Sequence, residues 1–158
     1  MKFLVKKFTL AFLLLFSLSA CAPLAFFANG SGSNYRGYKT SLGTYVASSN
    51  VNAVCLSPAL RLAIWDFEGF FGKKVIMNSG YRSPSHNLKV GGAQNSYHVK
   101  CMAADIFIPG VSKRKILAFA RRNNLMGGLG CYPNRKFIHI DVRTKPRGYK
   151  GPVTFGGC

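Results

Sequence analysis

Hydrophobic positions beyond residue 50 repeat with a helical period in two segments. The first segment begins after Ser57, a capping hydroxyl that a proline follows, and it ends at Gly72. Its inward face is apolar and consists of Leu60, Ile64, Phe67 and Phe71. The second segment begins after Ser112 and extends to about Asn123, with apolar positions inward and basic side chains outward. Both segments are predicted to be amphipathic helices.

Shorter apolar runs predict the strands of the domain. They are residues 75–77, 103–108, 129–132 and 137–142. The last two runs flank Pro133 and Asn134 and are predicted to pair as an antiparallel hairpin. Residues 79–94 are rich in Gly, Ser, Pro and Asn, so they are predicted to form a loop. The predicted fold class is α+β, a small antiparallel sheet with helices packed on one side.

The N-terminus has the organisation of a signal peptide at residues 1–20, a cationic region followed by the apolar run 8–20. That run is too short to span a bilayer comfortably. It ends in Leu-Ser-Ala before Cys21, which resembles the lipobox of bacterial lipoproteins, where the thiol carries a diacylglycerol. An ordinary secretory signal, cleaved after Ala20 or Ala22, is the alternative. Both interpretations export the protein, so we expect a cell-envelope location, as a periplasmic or outer-membrane lipoprotein, and no nucleic-acid partner.

Composition divides the remainder of the chain and suggests its partners. Residues 28–50 are rich in Gly, Ser, Asn and Tyr, which predicts a lipidated N-terminus and flexible linker over residues 21–50, with a short strand at residues 44–46. One folded domain is expected at residues 51–145, with a C-terminal tail at 146–158. The chain carries 22 Lys and Arg against 4 Asp and Glu, a formal charge of +18. In an exported protein this excess suits acidic wall polymers and an anionic membrane surface.

Cysteines beyond Cys21 suggest cross-links in an oxidising compartment. They are Cys55, Cys101, Cys131 and Cys158. Four cysteines predict two disulfides, for which three connectivities are open. A zinc–thiolate site is the competing interpretation, but the chain has no C-x-x-C pair.

Acids and histidines are scarce, so their placement is informative. The chain has three histidines and four acids. His98 and Asp105 lie around the start of a predicted strand and His139 lies on the following hairpin, so these three are candidates for one site. Two imidazoles and one carboxylate suit a catalytic zinc, which keeps its fourth position for water. Asp141 follows His139 by two residues and is expected on the same face of its strand.

Six short motifs surround these residues. They are SGYRSP at 79–84, Asn87, VGGA at 90–93, SYH at 96–98, AAD at 103–105 and FIHID at 137–141. Their order and spacing resemble the M15 family of metallopeptidases, in particular the branch of murein endopeptidases, with relatives among D-Ala-D-Ala carboxypeptidases and phage endolysins. The resemblance covers about residues 51–143. It implies a hedgehog/DD-peptidase-like fold, peptidoglycan as substrate, and a zinc cofactor with His98, Asp105 and His139 as ligands.

The resemblance also implies roles for side chains near the ligands. Arg82 would bind a substrate carboxylate or stabilise the developing oxyanion. Ser96 would contact substrate or orient the loop before His98. Asn87 is expected to tie down the preceding loop, whereas His86 has no counterpart and is expected to be exposed.

The general base is the first departure from the family pattern. Many relatives carry an acid three residues before the last ligand, where this chain has Lys136. Asp141 is the nearby acid, either as the base or as a partner that fixes a ligand. The favoured hypothesis is a zinc-dependent murein endopeptidase or DD-carboxypeptidase. The alternative is a non-catalytic, metal-binding envelope lipoprotein that binds peptidoglycan.

The cysteines are the second departure. Cys101 stands where the family usually has glycine between the ligands, and Cys131 stands where the hairpin usually has a small or apolar residue. Both are expected on neighbouring strands, which predicts a Cys101–Cys131 disulfide close to the zinc. Cys55 would then pair with Cys158 and pin the tail to the first helix.

Overall fold

The computed structural model describes residues 37–158. The helices are α1 (Pro58–Phe71), α2 (Pro84–Lys89) and α3 (Lys113–Arg122). The strands are β1 (Tyr38–Lys39), β2 (Tyr45–Val46), β3 (Ile76–Ser79), β4 (Ala103–Phe107), β5 (Gly128–Gly130), β6 (Ile138–Asp141) and β7 (Val153–Phe155). The predicted signal peptide, the predicted lipidation site Cys21 and the linker as far as residue 36 lie outside the described residues.

The strands form one mixed sheet in the order β1-β2-β3-β4-β6-β5-β7. The central strands β3, β4, β6 and β5 pair with one another in antiparallel fashion, and the pairing of β5 with β6 confirms the predicted hairpin. β2 pairs with β3 and β7 pairs with β5 in parallel, so the sheet is not purely antiparallel. The α+β fold class is confirmed.

The two predicted helices begin at the capping residues that the sequence indicates. The Ser57 hydroxyl accepts a hydrogen bond from the N–H of Leu60 at 3.3 Å, and the Ser112 hydroxyl accepts one from Lys115 at 3.4 Å. α1 ends where Gly72 takes a left-handed conformation with φ of 59°. Among residues 37–158, no helix has both the length and the apolar character needed to cross a membrane.

A single hydrophobic core covers one face of the central strands. Its members include Leu60, Ala63, Ile64 and Phe67 of α1, Ile116 and Ala120 of α3, and Ala104, Ile106, Ile138 and Ile140 of the sheet. Successive side chains of a strand point to opposite faces, so Asp105, His139 and Asp141 point away from this core. The core therefore directs three polar side chains onto one face of the sheet.

Three segments have regular structure that the sequence patterns did not predict. Residues 84–89, inside the predicted loop, form α2, and the Ser83 hydroxyl caps this helix by accepting a hydrogen bond from the N–H of His86 at 3.2 Å. β7 lies in the predicted tail, and β1 lies in the predicted linker. The sheet therefore extends beyond the predicted domain at 51–145 on both sides.

The predicted pairing of Cys101 with Cys131 is wrong, because Cys101 bonds to Cys55. The two cysteines are not on neighbouring strands, since β6 lies between β4 and β5. Cys101 lies in the turn before β4, where its carbonyl accepts a hydrogen bond from the N–H of Ser57 at 2.9 Å. That contact brings the start of α1 to the turn and places Cys55 beside Cys101.

The predicted pairing of Cys55 with Cys158 is wrong for a related reason, because Cys158 bonds to Cys131. Cys131 directly follows β5, and its N–H donates to the carbonyl of Phe155 in β7 at 3.1 Å. The parallel pairing of β7 with β5 therefore carries the end of the chain to Cys131. The tail is pinned to the sheet and not to the first helix.

Candidate metal centre

Two of the three predicted ligands lie on adjacent strands. Asp105 of β4 and His139 of β6 are direct register partners in the antiparallel pair. Directly opposite residues in such a pair have neighbouring side chains on the same face. Asp105 is 4% exposed and His139 is 6% exposed, so both side chains are buried on the face opposite the core.

The third predicted ligand, His98, lies on a turn and is only 2% exposed. Its carbonyl accepts hydrogen bonds from the N–H groups of Arg82 and Cys101, both at 3.3 Å. Its own N–H donates to the Ser96 hydroxyl at 3.3 Å. The Cys55–Cys101 disulfide ties the same turn to the residues before α1. Several contacts, none of them a strand pairing, therefore hold His98 in place.

The ligand atoms of the three residues converge on one point. His98 Nε2 lies 3.1 Å from His139 Nδ1 and 3.3 Å from Asp105 Oδ1. His139 Nδ1 lies 3.1 Å from Asp105 Oδ1. Ligands bound tetrahedrally to zinc at bond lengths of about 2.0–2.1 Å lie about 3.3 Å apart. The three side chains therefore fit a single small cation of this kind.

Hydrogen bonds on the far side of each imidazole decide which nitrogen faces that point. His98 Nδ1 lies 2.6 Å from the carbonyl oxygen of Gly80, which only accepts, so Nδ1 carries the proton and Nε2 has a lone pair. His139 Nε2 donates to Asp141 Oδ2 at 3.1 Å, which leaves Nδ1 as the lone-pair nitrogen of the neutral ring. Two nitrogen lone pairs and a carboxylate oxygen thus face each other, an arrangement that a bound cation stabilises.

Charges within the site keep its carboxylate ionised. Burial raises the pKa of Asp105, but the contacts with His139 and His98 outweigh burial and hold that pKa below its usual range. Burial lowers the pKa of His139, but Asp105 and Asp141 outweigh burial and raise it. Asp105 is therefore available as an anionic ligand at neutral pH.

Asp141 lies behind His139 and not at the converging atoms. It is fully buried, and its Oδ1 accepts hydrogen bonds from the Arg143 N–H at 3.1 Å and from Arg143 Nε at 2.8 Å. Burial raises the pKa of Asp141, but the contacts with Arg143 and then His139 lower it to about 2. Of the two roles predicted for Asp141, its position fits the partner that orients a ligand. It does not fit the general base, because His139 separates it from the converging lone pairs.

Arg82 contacts the ligand Asp105 directly. Its Nη2 donates to Asp105 Oδ2 at 2.6 Å, and its Nε donates to the Ser79 hydroxyl at 2.9 Å. Arg82 therefore orients the second oxygen of a predicted ligand while it also lines the neighbouring cleft. The predicted role of Ser96 as a residue that orients the loop is consistent with its hydrogen bond to the His98 N–H.

The remaining predicted residues lie outside the cluster of ligands. Asn87 is buried, and its Nδ2 donates to the carbonyl of Ala93 at 2.9 Å, which ties down the loop as expected. His86 is exposed, as expected. Lys136, which stands where many relatives carry the acidic base, is exposed and is not among the residues that line the cleft.

A cleft of about 810 Å³ opens over the three predicted ligands. Its charged and aromatic lining consists of Arg82, Arg135, Arg143, His98, His139, Asp105, Tyr97, Tyr132, Phe137 and Phe155. The Arg143 guanidinium lies 4.4 Å from the ring centroid of Tyr97 and 5.4 Å from that of Phe155. Asp105 is the one carboxylate in this lining among the described residues. The cleft is therefore cationic and aromatic around a single acidic ligand.

The sequence patterns missed Arg143, Tyr132 and Phe155. Arg143 could have been predicted from the sequence, because it continues the alternation of His139 and Asp141 on one strand face. Tyr132 and Phe155 reach the cleft through the sheet order, which places β7 beside β5. The short run Val-Thr-Phe in the predicted tail does not indicate which strand it pairs with.

Comparison with protein families matches residues 42–141 to the family Peptidase M15. This match spans well over half of the chain and includes all three predicted metal ligands. The chain therefore belongs to the peptidase M15 family.

Two curated relatives illustrate what the chain resembles within that family. It is 36% identical over 94 residues to the peptidoglycan L,D-endopeptidase MepK of Escherichia coli, a match that covers 55% of this chain and 51% of that protein. It is 45% identical over 81 residues to the probable peptidoglycan L,D-endopeptidase MepK of Haemophilus influenzae, covering 47% of this chain and 42% of that protein. The chain spans about half the length of the curated relatives it matches.

Proposed function

We propose that this chain is a zinc-dependent peptidase that hydrolyses peptide bonds in the stems or cross-bridges of peptidoglycan. One observation carries the proposal: His98 Nε2, His139 Nδ1 and Asp105 Oδ1 converge with separations of 3.1 to 3.3 Å. Hydrogen bonds to Gly80 and Asp141 turn the imidazole lone pairs inward. Two imidazoles and one carboxylate form a ligand set of catalytic zinc sites.

The residues around the ligands support hydrolysis in complementary ways. Bound zinc would polarise a peptide carbonyl and lower the pKa of a water molecule. Arg82 donates a hydrogen bond to Asp105 Oδ2 at 2.6 Å and also lines the cleft. It can therefore bind a substrate carboxylate or the developing oxyanion as well. Asp141 holds the ring of His139, and Arg143 in turn neutralises and orients Asp141.

The cleft favours an acidic peptide as substrate. Arg82, Arg135 and Arg143 line it, and its one carboxylate is the predicted ligand Asp105. Wall peptides carry free carboxylates, which complementary positive charge attracts. The matched relatives are named as peptidoglycan L,D-endopeptidases, so we propose endopeptidase activity in preference to carboxypeptidase activity.

The proposed setting is the cell envelope. A lipoprotein anchored through Cys21 would bring the peptidase to a membrane, and the net charge of +18 would support contact with anionic surfaces. Metabolic labelling with a fatty acid, comparing the native chain with Cys21→Ala, tests the anchor. Loss of label in the variant supports the anchor, whereas an unlabelled native chain contradicts it.

The second candidate is a metal-binding envelope protein that binds peptidoglycan without cleaving it. The specific observation in its favour is that the described cleft offers no carboxylate besides the ligand Asp105. Lys136, at the position of the usual acidic base, is exposed. The two candidates share the metal site and differ in turnover.

The discriminating experiment combines zinc analysis with digestion of peptidoglycan. Purified protein is expected to contain about one zinc per chain and to release muropeptides from sacculi, with product masses that identify the bond cut. His139→Ala is expected to lose both properties, whereas His86→Ala, an exposed histidine, keeps both. Bound zinc with no cleavage of any cross-link type would favour the second candidate. Absence of stoichiometric zinc would contradict both.

A further inference from the structure

Tyr132 has an unfavourable backbone conformation at the edge of the cleft. Its φ is 39°, and Cys101 is the other described residue besides glycine with a positive φ. The Cβ of any residue other than glycine disfavours this region. Strained backbone positions of this kind cluster at functional sites, so Tyr132 is a candidate functional residue.

The backbone of Tyr132 is held from both sides. Its N–H donates to the carbonyl of Gly156 at 2.7 Å. Its carbonyl accepts hydrogen bonds from Lys113 Nζ at 2.6 Å and from the N–H of Arg135 at 2.9 Å. Two of these contacts come from other segments and one from the loop of Tyr132 itself, and together they hold the residue in the left-handed region.

The ring of Tyr132 occupies space that two glycines leave open. A Cβ on Gly156 would lie 2.9 Å from the ring, and a Cβ on Gly130 would lie 3.1 Å from it. Edge contacts with Phe137 and Phe155, at centroid separations of 6.3 and 6.2 Å, complete the surroundings of the ring. The ring therefore has one packed position, and in that position it lines the cleft.

The hydroxyl of Tyr132 forms no hydrogen bond with another described residue. Among residues 37–158 the hydroxyl has no hydrogen-bond partner, whereas Arg82 donates to Asp105 and Arg143 donates to Asp141. Burial, and then the charge of Asp105, raise the pKa of this hydroxyl, so it is protonated at neutral pH. A protonated donor of the residue that lines the cleft therefore has no protein acceptor among residues 37–158.

We propose that the Tyr132 hydroxyl is a catalytic residue that donates a hydrogen bond to the carbonyl oxygen of the scissile peptide as negative charge develops there. This inference rests on the proposed function. In the overall reaction the oxygen of one water bonds to the acyl carbon, the C–N bond breaks, and the leaving nitrogen takes a proton from that water. Tyr132 keeps its own proton, and its contribution is electrostatic.

The test compares Tyr132→Phe with the native protein, because the substitution keeps the ring and removes only the oxygen. We expect kcat on a defined muropeptide to fall about 10²-fold, the loss typical of removing one oxyanion donor. We expect zinc content, melting temperature and KM to stay close to the native values. Tyr149→Phe, at an exposed tyrosine outside the cleft, is the matched control and should not change kcat.

A binding measurement separates this inference from the proposed function. A phosphinic pseudopeptide mimics the tetrahedral, anionic state, and its affinity for zinc-loaded protein should fall at least tenfold in Tyr132→Phe. Affinity for the product peptide should not change. Equal kcat and equal phosphinate affinity in the two proteins would overturn the role of Tyr132, as would a parallel loss of zinc. If the native protein cleaves nothing, the proposed function fails, and the phosphinate affinities still decide whether the hydroxyl contacts a tetrahedral oxygen.

Discussion

Two regions of the molecule hold the candidate metal ligands by different means. Asp105 and His139 are register partners on β4 and β6, and the core residues Ile106 and Ile138 lie beside them on the opposite face. His98 lies on a turn outside the sheet. Backbone hydrogen bonds, the Gly80 carbonyl, the Ser96 hydroxyl and a disulfide hold this turn.

This difference shows how each ligand depends on the rest of the fold. Residues on strands are positioned by the hydrogen bonds between the strands and by the hydrophobic core. Both persist unless the domain unfolds. A turn residue depends on a few separate contacts, each worth about 0.5–1.5 kcal/mol for a hydrogen bond. We therefore expect the strand pair to be insensitive to single remote changes and the His98 turn to respond to each of them.

The largest effect is expected from removing a strand ligand. His139→Ala leaves two ligands at the site and should abolish stoichiometric zinc binding, with muropeptide release at least 10³-fold below the native rate. Elemental analysis and a sacculus digestion assay measure both quantities. The matched control is His86→Ala, since His86 is exposed and is not among the residues that line the cleft. A zinc-replete His139→Ala protein would contradict the assignment of this ligand.

The second effect tests whether Asp141 orients His139 or acts as the base. Asp141→Asn weakens the hydrogen bond to His139 and the pairing with Arg143, so zinc affinity should fall about 10–100-fold. Competition with a chelating dye measures the affinity. At saturating zinc we expect at least a tenth of native kcat to remain, since loss of a general base lowers kcat by about 10²–10⁴-fold. Native zinc affinity with kcat reduced beyond hundredfold would identify Asp141 as the base instead.

The third prediction compares the two disulfides and tests whether the Cys55–Cys101 bond holds the turn that carries His98. Opening Cys55–Cys101 with Cys55→Ser and Cys101→Gly should lower zinc affinity about tenfold, comparable to losing an orienting partner. Glycine is chosen because Cys101 has a φ of 60°, which glycine adopts without strain. Both disulfides should contribute about 2–4 kcal/mol to the free energy of unfolding.

The matched control opens the other bond with Cys131→Ser and Cys158→Ser. This pair ties the tail to the end of β5, so its loss should lower stability while zinc affinity stays within twofold. Urea unfolding and dye competition give the two quantities. If the control lowered zinc affinity as much as the Cys55–Cys101 variant, the His98 turn would not depend specifically on its own cross-link.

Features that depend on local sequence could be predicted, whereas features that depend on the order of the strands in the sheet could not. Periodicity and capping residues predict α1, α3 and the β5–β6 hairpin, because these depend on local patterns. The metal ligands follow from a family resemblance that includes their spacing. Disulfide connectivity depends on which strands are neighbours, and the insertion of β6 between β4 and β5 is a property of the whole sheet. Phe155 was not predicted for the same reason, since the pairing of β7 with β5 brings the tail to the cleft. Tyr132, in the loop after β5, was not predicted either, because its N–H donates to Gly156 of that tail.

The smallest effect concerns a single hydrogen bond of the turn. Ser96→Ala removes the hydroxyl that accepts from the His98 N–H at 3.3 Å, a long and half-buried contact. Because a long hydrogen bond contributes at the low end of the usual range of about 0.5–1.5 kcal/mol, zinc affinity should fall by about two- to threefold. Ser85→Ala, at an exposed serine of α2, is the control and should leave the affinity unchanged. If Ser96→Ala instead raised KM for a muropeptide while zinc affinity stayed native, Ser96 would be a substrate contact, the other role that the family resemblance implies.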